Sequence, residues 1–120
     1  MTDERREMSR ISVTWPITVI TEQGMIEGKS VNITPFGVFV RCTQVLKENE
    51  TYQIIVKMPN QKQVLLKGKL VWSNLNGEER SEAFADMGFS FVKVDEQDQK
   101  LLRAMISVYG EADKEAKEKA

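Results

Sequence analysis

Apolar and polar residues alternate along the middle of the chain. In the segment TYQIIVKM, the apolar side chains on one face are Tyr52, Ile54, Val56 and Met58. The segment VLLKGKLVW repeats this alternation, with lysines on its polar face. A period of about two residues is typical of a strand that buries one face. The pattern therefore predicts strands near residues 17–21, 25–32, 37–42, 51–58, 63–73 and 84–92.

Turn-forming sequences separate these predicted strands. They are Gln23-Gly24, Pro35-Phe36-Gly37, Glu48-Asn49, Pro59-Asn60 and Asn74–Gly77. Short strands at this spacing are typical of an antiparallel barrel or of a sandwich of two sheets. We therefore predict a mainly all-β fold, and the pattern alone is compatible with either arrangement.

The period changes near the C-terminus. Apolar residues recur at helical spacing at Leu101, Leu102, Met105, Ile106 and Tyr109. Asp95 is a suitable N-cap, and Gly110 is a suitable stop. We predict a C-terminal α-helix that packs on one opening of the β-structure. Residues 110–120 are expected to form either a frayed helical extension or a solvated tail.

The composition limits the chemistry. The chain of 120 residues has no histidine and a single cysteine, Cys42. This removes most zinc, haem and Cys/His nucleophile sites. The carboxylates near Asp95 are typical of a helix start and not of a metal cage. We expect no metal, no resident cofactor and no catalytic residues, so the protein is not predicted to be an enzyme.

Charge and hydropathy limit the partners. The net charge is −1 and the pI is about 5.6, whereas a protein that binds nucleic-acid polymers usually has a basic face. No apolar run approaches the roughly 18 residues of a membrane helix, and the N-terminus lacks the apolar stretch of a signal peptide. We expect no nucleic-acid polymer, no membrane insertion and a cytoplasmic location. A small, local anion site is compatible with this balance.

Three arginines lie in the first ten residues, at Arg5, Arg6 and Arg10. Arg6 and Arg10 are four residues apart, so they share one side whether the segment is helical or extended. The planar fork of arginine can bond a phosphate, or the O6/N7 edge of guanine, in a bidentate way. By itself the pair is more typical of a solvated arm.

A second polar stretch, NITPFG, occupies residues 32–37 between two predicted strands. Asn32 offers a donor and acceptors, Thr34 offers a hydroxyl, and Gly37 lets a ligand approach the backbone closely. A hairpin turn whose Asn and Thr side chains bond their own backbone explains the same residues.

Together, the two stretches resemble the PilZ domain family. Arg6 and Arg10 match its R-x-x-x-R arm, and residues 32–37 match its [DN]-x-[ST]-x-x-G pattern. The order of arm, six-strand pattern and C-terminal helix agrees over about residues 4–109. The resemblance implies a six-stranded antiparallel PilZ-type β-barrel with a C-terminal α-helix. The expected divisions are a flexible basic arm at 1–11, the barrel domain with its helix at 12–109 and a charged tail at 110–120.

PilZ domains are bacterial receptors for cyclic di-GMP, so the resemblance implies this ligand. It implies that Arg6 and Arg10 grip guanine and phosphate from the arm. Arg5 falls where such arms often carry another arginine, which could help bind a second, stacked ligand molecule.

On the barrel, the resemblance implies that Asn32 holds a guanine edge and that Thr34 bonds near a phosphate or base. Gly37 would keep the barrel surface open. Trp72, near the end of the fifth predicted strand, is expected either to stack on a base or to pack at the barrel rim. The chain departs from the family pattern at Thr34, where serine is usual, and at Phe36, where glycine is common. Asn32 also replaces the commoner aspartate.

The resemblance implies a single-domain effector that changes conformation on binding cyclic di-GMP. It would signal to a separate protein partner in motility, pilus or exopolysaccharide control. Separately from the resemblance, we expect a monomer or a weak homodimer. The alternative is a PilZ-like interaction protein of pilus assembly that does not bind nucleotide. A small barrel that binds single-stranded nucleic acid is disfavoured by the acidic balance.

Overall fold

The chain forms a closed antiparallel β-barrel with one helix, in a computed structural model that describes residues 12–76 and 84–119. Its elements are β1 (Pro16–Thr21), β2 (Gly24–Thr34), β3 (Gly37–Cys42), β4 (Thr51–Lys57), β5 (Gln63–Asn76), β6 (Phe84–Val94) and α1 (Glu96–Lys119). Every predicted strand is present, and each end agrees to within three residues.

The ring of strands follows the order β1-β2-β3-β6-β5-β4. Strand β1 closes it by pairing antiparallel with both β2 and β4. Closure leaves no strand edge unpaired. Of the two arrangements that the alternation allows, the structure is therefore the barrel and not the sandwich.

The barrel interior is filled by alternate residues of the strands, as the sequence pattern predicts. The buried set includes Ile17, Val19, Ile33, Val38, Val40, Ile54, Val56, Leu66, Leu70, Met87 and Phe89. Branched side chains dominate this set, and they suit a pleated surface. Each fully buried side chain of this size contributes about 1.5–3 kcal/mol relative to exposure.

Helix α1 covers one end of the barrel. Leu102 and Ile106 are buried against the interior. Tyr109 meets Trp15 edge to face, with 5.8 Å between the ring centroids. The Oδ2 of Asp95 accepts a hydrogen bond from the N–H of Gln97 at 3.3 Å, which confirms the predicted N-cap.

The prediction that the helix stops at Gly110 is wrong. Helix α1 continues to Lys119. One glycine inside a helix costs only about 1 kcal/mol relative to alanine, and most residues that follow it are strong helix formers. Residues 110–119 therefore form the helical extension, the first of the two alternatives. No helix in the described part of the chain is long and apolar enough to span a membrane.

Candidate ligand-binding face

A β-bulge turns Asn32 to the outside of the barrel. Strand β2 pairs with β3 at Ser30↔Val40 and next at Asn32↔Phe39, so Val31 is an extra residue in the ladder. In a regular strand, Ser30 and Asn32 would share a face. Here Ser30 is buried and Asn32 is half-buried. Because a bulge re-aims the residues that follow it, Asn32 lies on the outer face.

Thr34 shapes the turn between β2 and β3. Its Oγ1 accepts hydrogen bonds from the backbone N–H of Phe36 at 3.0 Å and of Gly37 at 3.2 Å. This confirms the predicted self-bonded turn for Thr34. A hydroxyl has two acceptor sites and one hydrogen. Within the described ranges that hydrogen has no protein acceptor, so it can be donated outward.

Gly37 is required by the close packing of β3 against β6. A Cβ at this position would lie 2.5 Å from the carbonyl oxygen of Phe89. The N–H of Phe91 donates to the carbonyl of Phe36 at 2.8 Å, which holds the turn on β6. Gly37 therefore has a structural role in strand spacing, whatever it does at a ligand surface.

An aromatic pair lies beside Asn32 on the outer face. Asn32, Phe39, Gly88 and Trp72 are successive cross-strand neighbours on β2, β3, β6 and β5. The rings of Phe39 and Trp72 stack, with centroids 5.5 Å apart and planes at 16°. Gly88 leaves room for this pair, since a Cβ there would meet Cε1 of Phe39 at 3.0 Å.

Trp72 packs on Phe39 and still leaves 43% of its surface exposed. We call the row formed by Asn32, Phe39, Gly88 and Trp72, together with Thr34, the candidate ligand face. Sequence reasoning missed Phe39 as a member. Its contact with Trp72 depends on the register of three strands, and no local motif carries that information.

Ser30 fastens the segment before β1 to β2. The N–H of Trp15 donates to Oγ of Ser30 at 2.8 Å, and the Ser30 hydroxyl donates to the carbonyl of Val13. The N–H of Ser30 completes the contact with the carbonyl of Trp15 at 2.9 Å. Ser30 lies two residues before Asn32, so the described chain begins close to the candidate ligand face. Arg5, Arg6 and Arg10 lie outside the described residues.

Phe36, which departs from the family pattern, makes a cation–π contact with Arg103. It is 50% exposed, and Cζ of Arg103 in α1 lies 5.4 Å from the ring centroid. A cation–π contact at an exposed site contributes about 0.5–1 kcal/mol. The contact joins the β2–β3 turn to the helix, and no sequence motif predicts it.

The neighbouring charges on β3 and β6 compensate each other. Nε and Nη2 of Arg41 lie 2.7 and 3.1 Å from the two carboxylate oxygens of Asp86. The hydrogen bond from Arg41 to Asp86 raises the pKa of this arginine above its ordinary value. A bidentate pair of this kind is geometrically specific. Arg41 is therefore held in an ion pair with Asp86.

Cys42 is buried at the end of β3. Its Sγ donates to the carbonyl of Gln44 at 3.2 Å, and burial raises the pKa of the thiol. Among the described residues, there is no group of three or more cysteines or carboxylates that could hold a metal ion.

The comparisons with known proteins identify the family. The model of the PilZ domain matches residues 4–107. The chain belongs to the PilZ domain family. A search of curated proteins gives no significant match.

Solved PilZ structures share the fold. The PilZ domain of YcgR from Escherichia coli, with c-di-GMP, superposes with a TM-score of 0.71 at 18% identity, covering 94% of this chain and 98% of that one. The inhibitor of motility MotI/DgrA from Bacillus subtilis gives 0.68 at 18% identity, covering 90% and 50%. PlzA from Borreliella burgdorferi, in complex with c-di-GMP, gives 0.61 at 11% identity, covering 88% and 55%. The chain thus spans about half the length of MotI and PlzA and nearly all of the YcgR PilZ domain.

Proposed function

We propose that this PilZ protein is a receptor for cyclic di-GMP whose N-terminal arm closes over the candidate ligand face. Family membership supports this, and the related YcgR and PlzA structures contain c-di-GMP. The observation that carries the proposal for this chain is the attachment of Val13 and Trp15 to Ser30. It starts the arm beside the residues that would meet the ligand.

The reach of the arm fits this arrangement. Arg10 precedes Val13 by three residues, and three residues span at most about 10–11 Å. An arginine side chain extends this reach further. In the proposal, Arg10 contacts a ligand that lies on Asn32, and Arg6 follows it on the same side of the arm.

Each member of the face has a chemical role in the proposal. The amide of Asn32 donates to and accepts from a guanine edge. The hydroxyl hydrogen of Thr34 is donated to a phosphate or base oxygen. The exposed surface of Trp72, supported from below by Phe39, offers a guanine base a flat contact worth about 1–3 kcal/mol.

The energetics allow a moderate affinity. A hydrogen bond to a charged group contributes about 1.5–3 kcal/mol, and each bidentate contact with a base discriminates by about 1–3 kcal/mol. Ordering the arm costs about 1–2 kcal/mol per backbone residue. We therefore expect a micromolar dissociation constant, which corresponds to about −8 kcal/mol.

Calorimetric titration with cyclic di-GMP tests the proposal. Arg10→Ala is expected to weaken binding at least about 100-fold, because two charge-assisted hydrogen bonds are lost. Arg6→Ala should behave nearly the same, and Arg5→Ala should be milder and lower the stoichiometry. Lys57→Ala removes an exposed charge at the end of β4 and is the matched control. Circular dichroism should be unchanged throughout.

A titration without heat at high ligand concentration would instead favour the interaction protein that does not bind nucleotide. Equal binding by the parent, Arg6→Ala and Arg10→Ala would refute the assignment of the arm. In the proposal the arm is ordered by the ligand, and this changes the surface that is offered to a separate protein partner in motility, pilus or exopolysaccharide control.

A further inference from the structure

Three lysines on β5 and β6 form a row of positive charge on the outside of the barrel. Lys67 and Lys93 are direct cross-strand partners. Lys69 follows Lys67 by two residues on β5, so it shares the same face. All three are exposed, and we call them the lysine face. Like charges directly opposite each other destabilise a sheet, so this arrangement has a cost in the isolated protein.

Among the residues that the structure describes, no carboxylate neutralises the lysine face. The other cross-strand partners of Lys67 and Lys69 are the uncharged Gln53, Thr51 and Ser90. The nearest carboxylates in sequence act elsewhere. Glu50 lies 3.5 Å from Nζ of Lys47, and Asp95 caps α1. Across residues 12–76 and 84–119, none of the three lysines forms an ion pair.

Two exposed valines flank the lysine face. Val92 is the extra residue between the pairs Lys67↔Lys93 and Gly68↔Phe91, and Val71 is the extra residue of a second bulge on β5. They are 54% and 52% exposed. Apolar side chains bordered by charge are typical of a surface that binds another protein.

We propose that the lysine face and its two valines form a docking surface for an acidic segment of a partner protein. Negative side chains between Lys67 and Lys93 would turn their repulsion into attraction, and the valines would meet apolar residues of the same segment. A nucleic acid fits less well, because a domain that binds nucleic acid is usually basic as a whole, and this chain has a net charge of −1.

The docking surface adjoins the candidate ligand face. Ser90 pairs with Gly37 on one side and with Lys69 on the other. A partner on the lysine face would therefore lie within one strand of the β2–β3 turn. The docking surface does not itself require nucleotide binding, so its failure would leave the cyclic di-GMP titration unaffected, and the two proposals can be told apart.

The test uses a labelled amphipathic peptide in which glutamate alternates with leucine, with a lysine-for-glutamate peptide as the control ligand. The parent protein should bind the acidic peptide in a salt-sensitive manner, measured by fluorescence anisotropy. Lys67→Glu and Lys93→Glu should each weaken binding at least about tenfold. Lys57→Glu makes the same charge change on β4 and should alter binding less than about twofold.

Thermal unfolding supplies a second readout. Lys67→Glu should raise Tm by about 1–4 °C, because it replaces a like-charge pair by an attractive one. Gain of stability with loss of binding is the signature of a surface kept for function.

Three outcomes would overturn the proposal: no binding of the acidic peptide, unchanged peptide binding in both variants, or a lower Tm for Lys67→Glu. Tighter lysine-dependent binding of a single-stranded oligonucleotide or of phosphatidylserine vesicles would overturn the assignment to a protein partner.

Discussion

The two sides of the barrel differ in the regularity of their ladders. Strand β1 pairs with β2 and β4, and β4 pairs with β5, without any shift in register. The β2–β3 and β5–β6 ladders contain bulges at Val31, Val71 and Val92, and the β3–β6 ladder that lies between them has none. We call these three neighbouring ladders the irregular side. The candidate ligand face and the lysine face both belong to the irregular side.

This difference indicates a division of roles. Regular pairing closes the barrel and leaves alternate residues inside. Each bulge breaks the alternation and brings to the surface a residue that the pattern would otherwise bury, or exposes an apolar residue. We therefore expect substitutions on the irregular side to affect ligand binding and local packing together, whereas comparable substitutions on the regular side should leave ligand binding unchanged.

The largest expected effect on stability comes from the tight contact on the irregular side. Gly37→Ala should lower the free energy of unfolding by about 3 kcal/mol, because the added methyl meets a backbone oxygen that cannot move independently. Gly88→Ala is the matched variant. Its methyl meets the end of the Phe39 ring, which can rotate away, so the loss should stay below about 1 kcal/mol.

Urea unfolding measures both variants. Near-ultraviolet circular dichroism should change for Gly88→Ala, because moving Phe39 disturbs its stack with Trp72. Equal losses of stability for the two alanines would contradict the view that the β3–β6 backbone contact dominates.

A smaller difference in stability is expected between variants of two buried hydroxyl residues, Ser30 on the irregular side and Thr18 on the regular side. Ser30→Ala should cost about 2 kcal/mol, because the N–H of Trp15 loses its partner in a buried position. Thr18→Val should cost less than about 1 kcal/mol, since Oγ1 of Thr18 donates at 3.1 Å to Glu27, whose carboxylate is exposed and can be solvated instead.

Chemical unfolding measures the stability of Ser30→Ala and Thr18→Val, and titration with cyclic di-GMP measures their affinity for the ligand. Only Ser30→Ala should also lower the affinity for cyclic di-GMP, by a few-fold, because the residues that begin the arm are held less firmly. If Thr18→Val proved the more damaging change, the anchoring role of Ser30 would be wrong.

The smallest effect is expected at the turn. Thr34→Ser keeps the hydroxyl that accepts from Phe36 and Gly37, so stability should change by less than about 0.5 kcal/mol. Ligand affinity should stay equal or rise as the methyl is removed. Thr34→Val is the control that removes the hydroxyl, and it should lower both stability and affinity. If Thr34→Ser markedly lowered the ligand affinity, the Thr34 methyl would have to make a stabilising contact with the ligand.

Much of the fold follows from alternation alone. Strand β3 has the bounds that the pattern predicts, Gly37–Cys42, because its buried positions all carry apolar residues. Strand β5 runs three residues further than predicted, to Asn76. The predicted strand ends at residue 73 because Asn74–Gly77 is expected to form a turn, and this is wrong for residues 74–76, which pair with β6. Gly110 misled the prediction because a stop signal has little weight when helix formers follow it.

Only part of the candidate site could be predicted from the sequence. Asn32 and Thr34 stand out through their motif, although the bulge that exposes Asn32 has no local signature. Ser30 was missed because its partners are backbone groups of residues far away in sequence, fifteen positions for Trp15. The roles of the arm arginines stay predictions, since those residues lie outside the described ranges.

The two tryptophans of the chain occupy opposite surroundings. Trp15 is 5% exposed beneath the helix, and Trp72 is 43% exposed on the outer face. An aqueous quencher such as iodide reaches the second indole and not the first. The protein therefore contains its own optical reporter on one surface and an internal standard under the helix, and quenching can follow what covers β5 without any label.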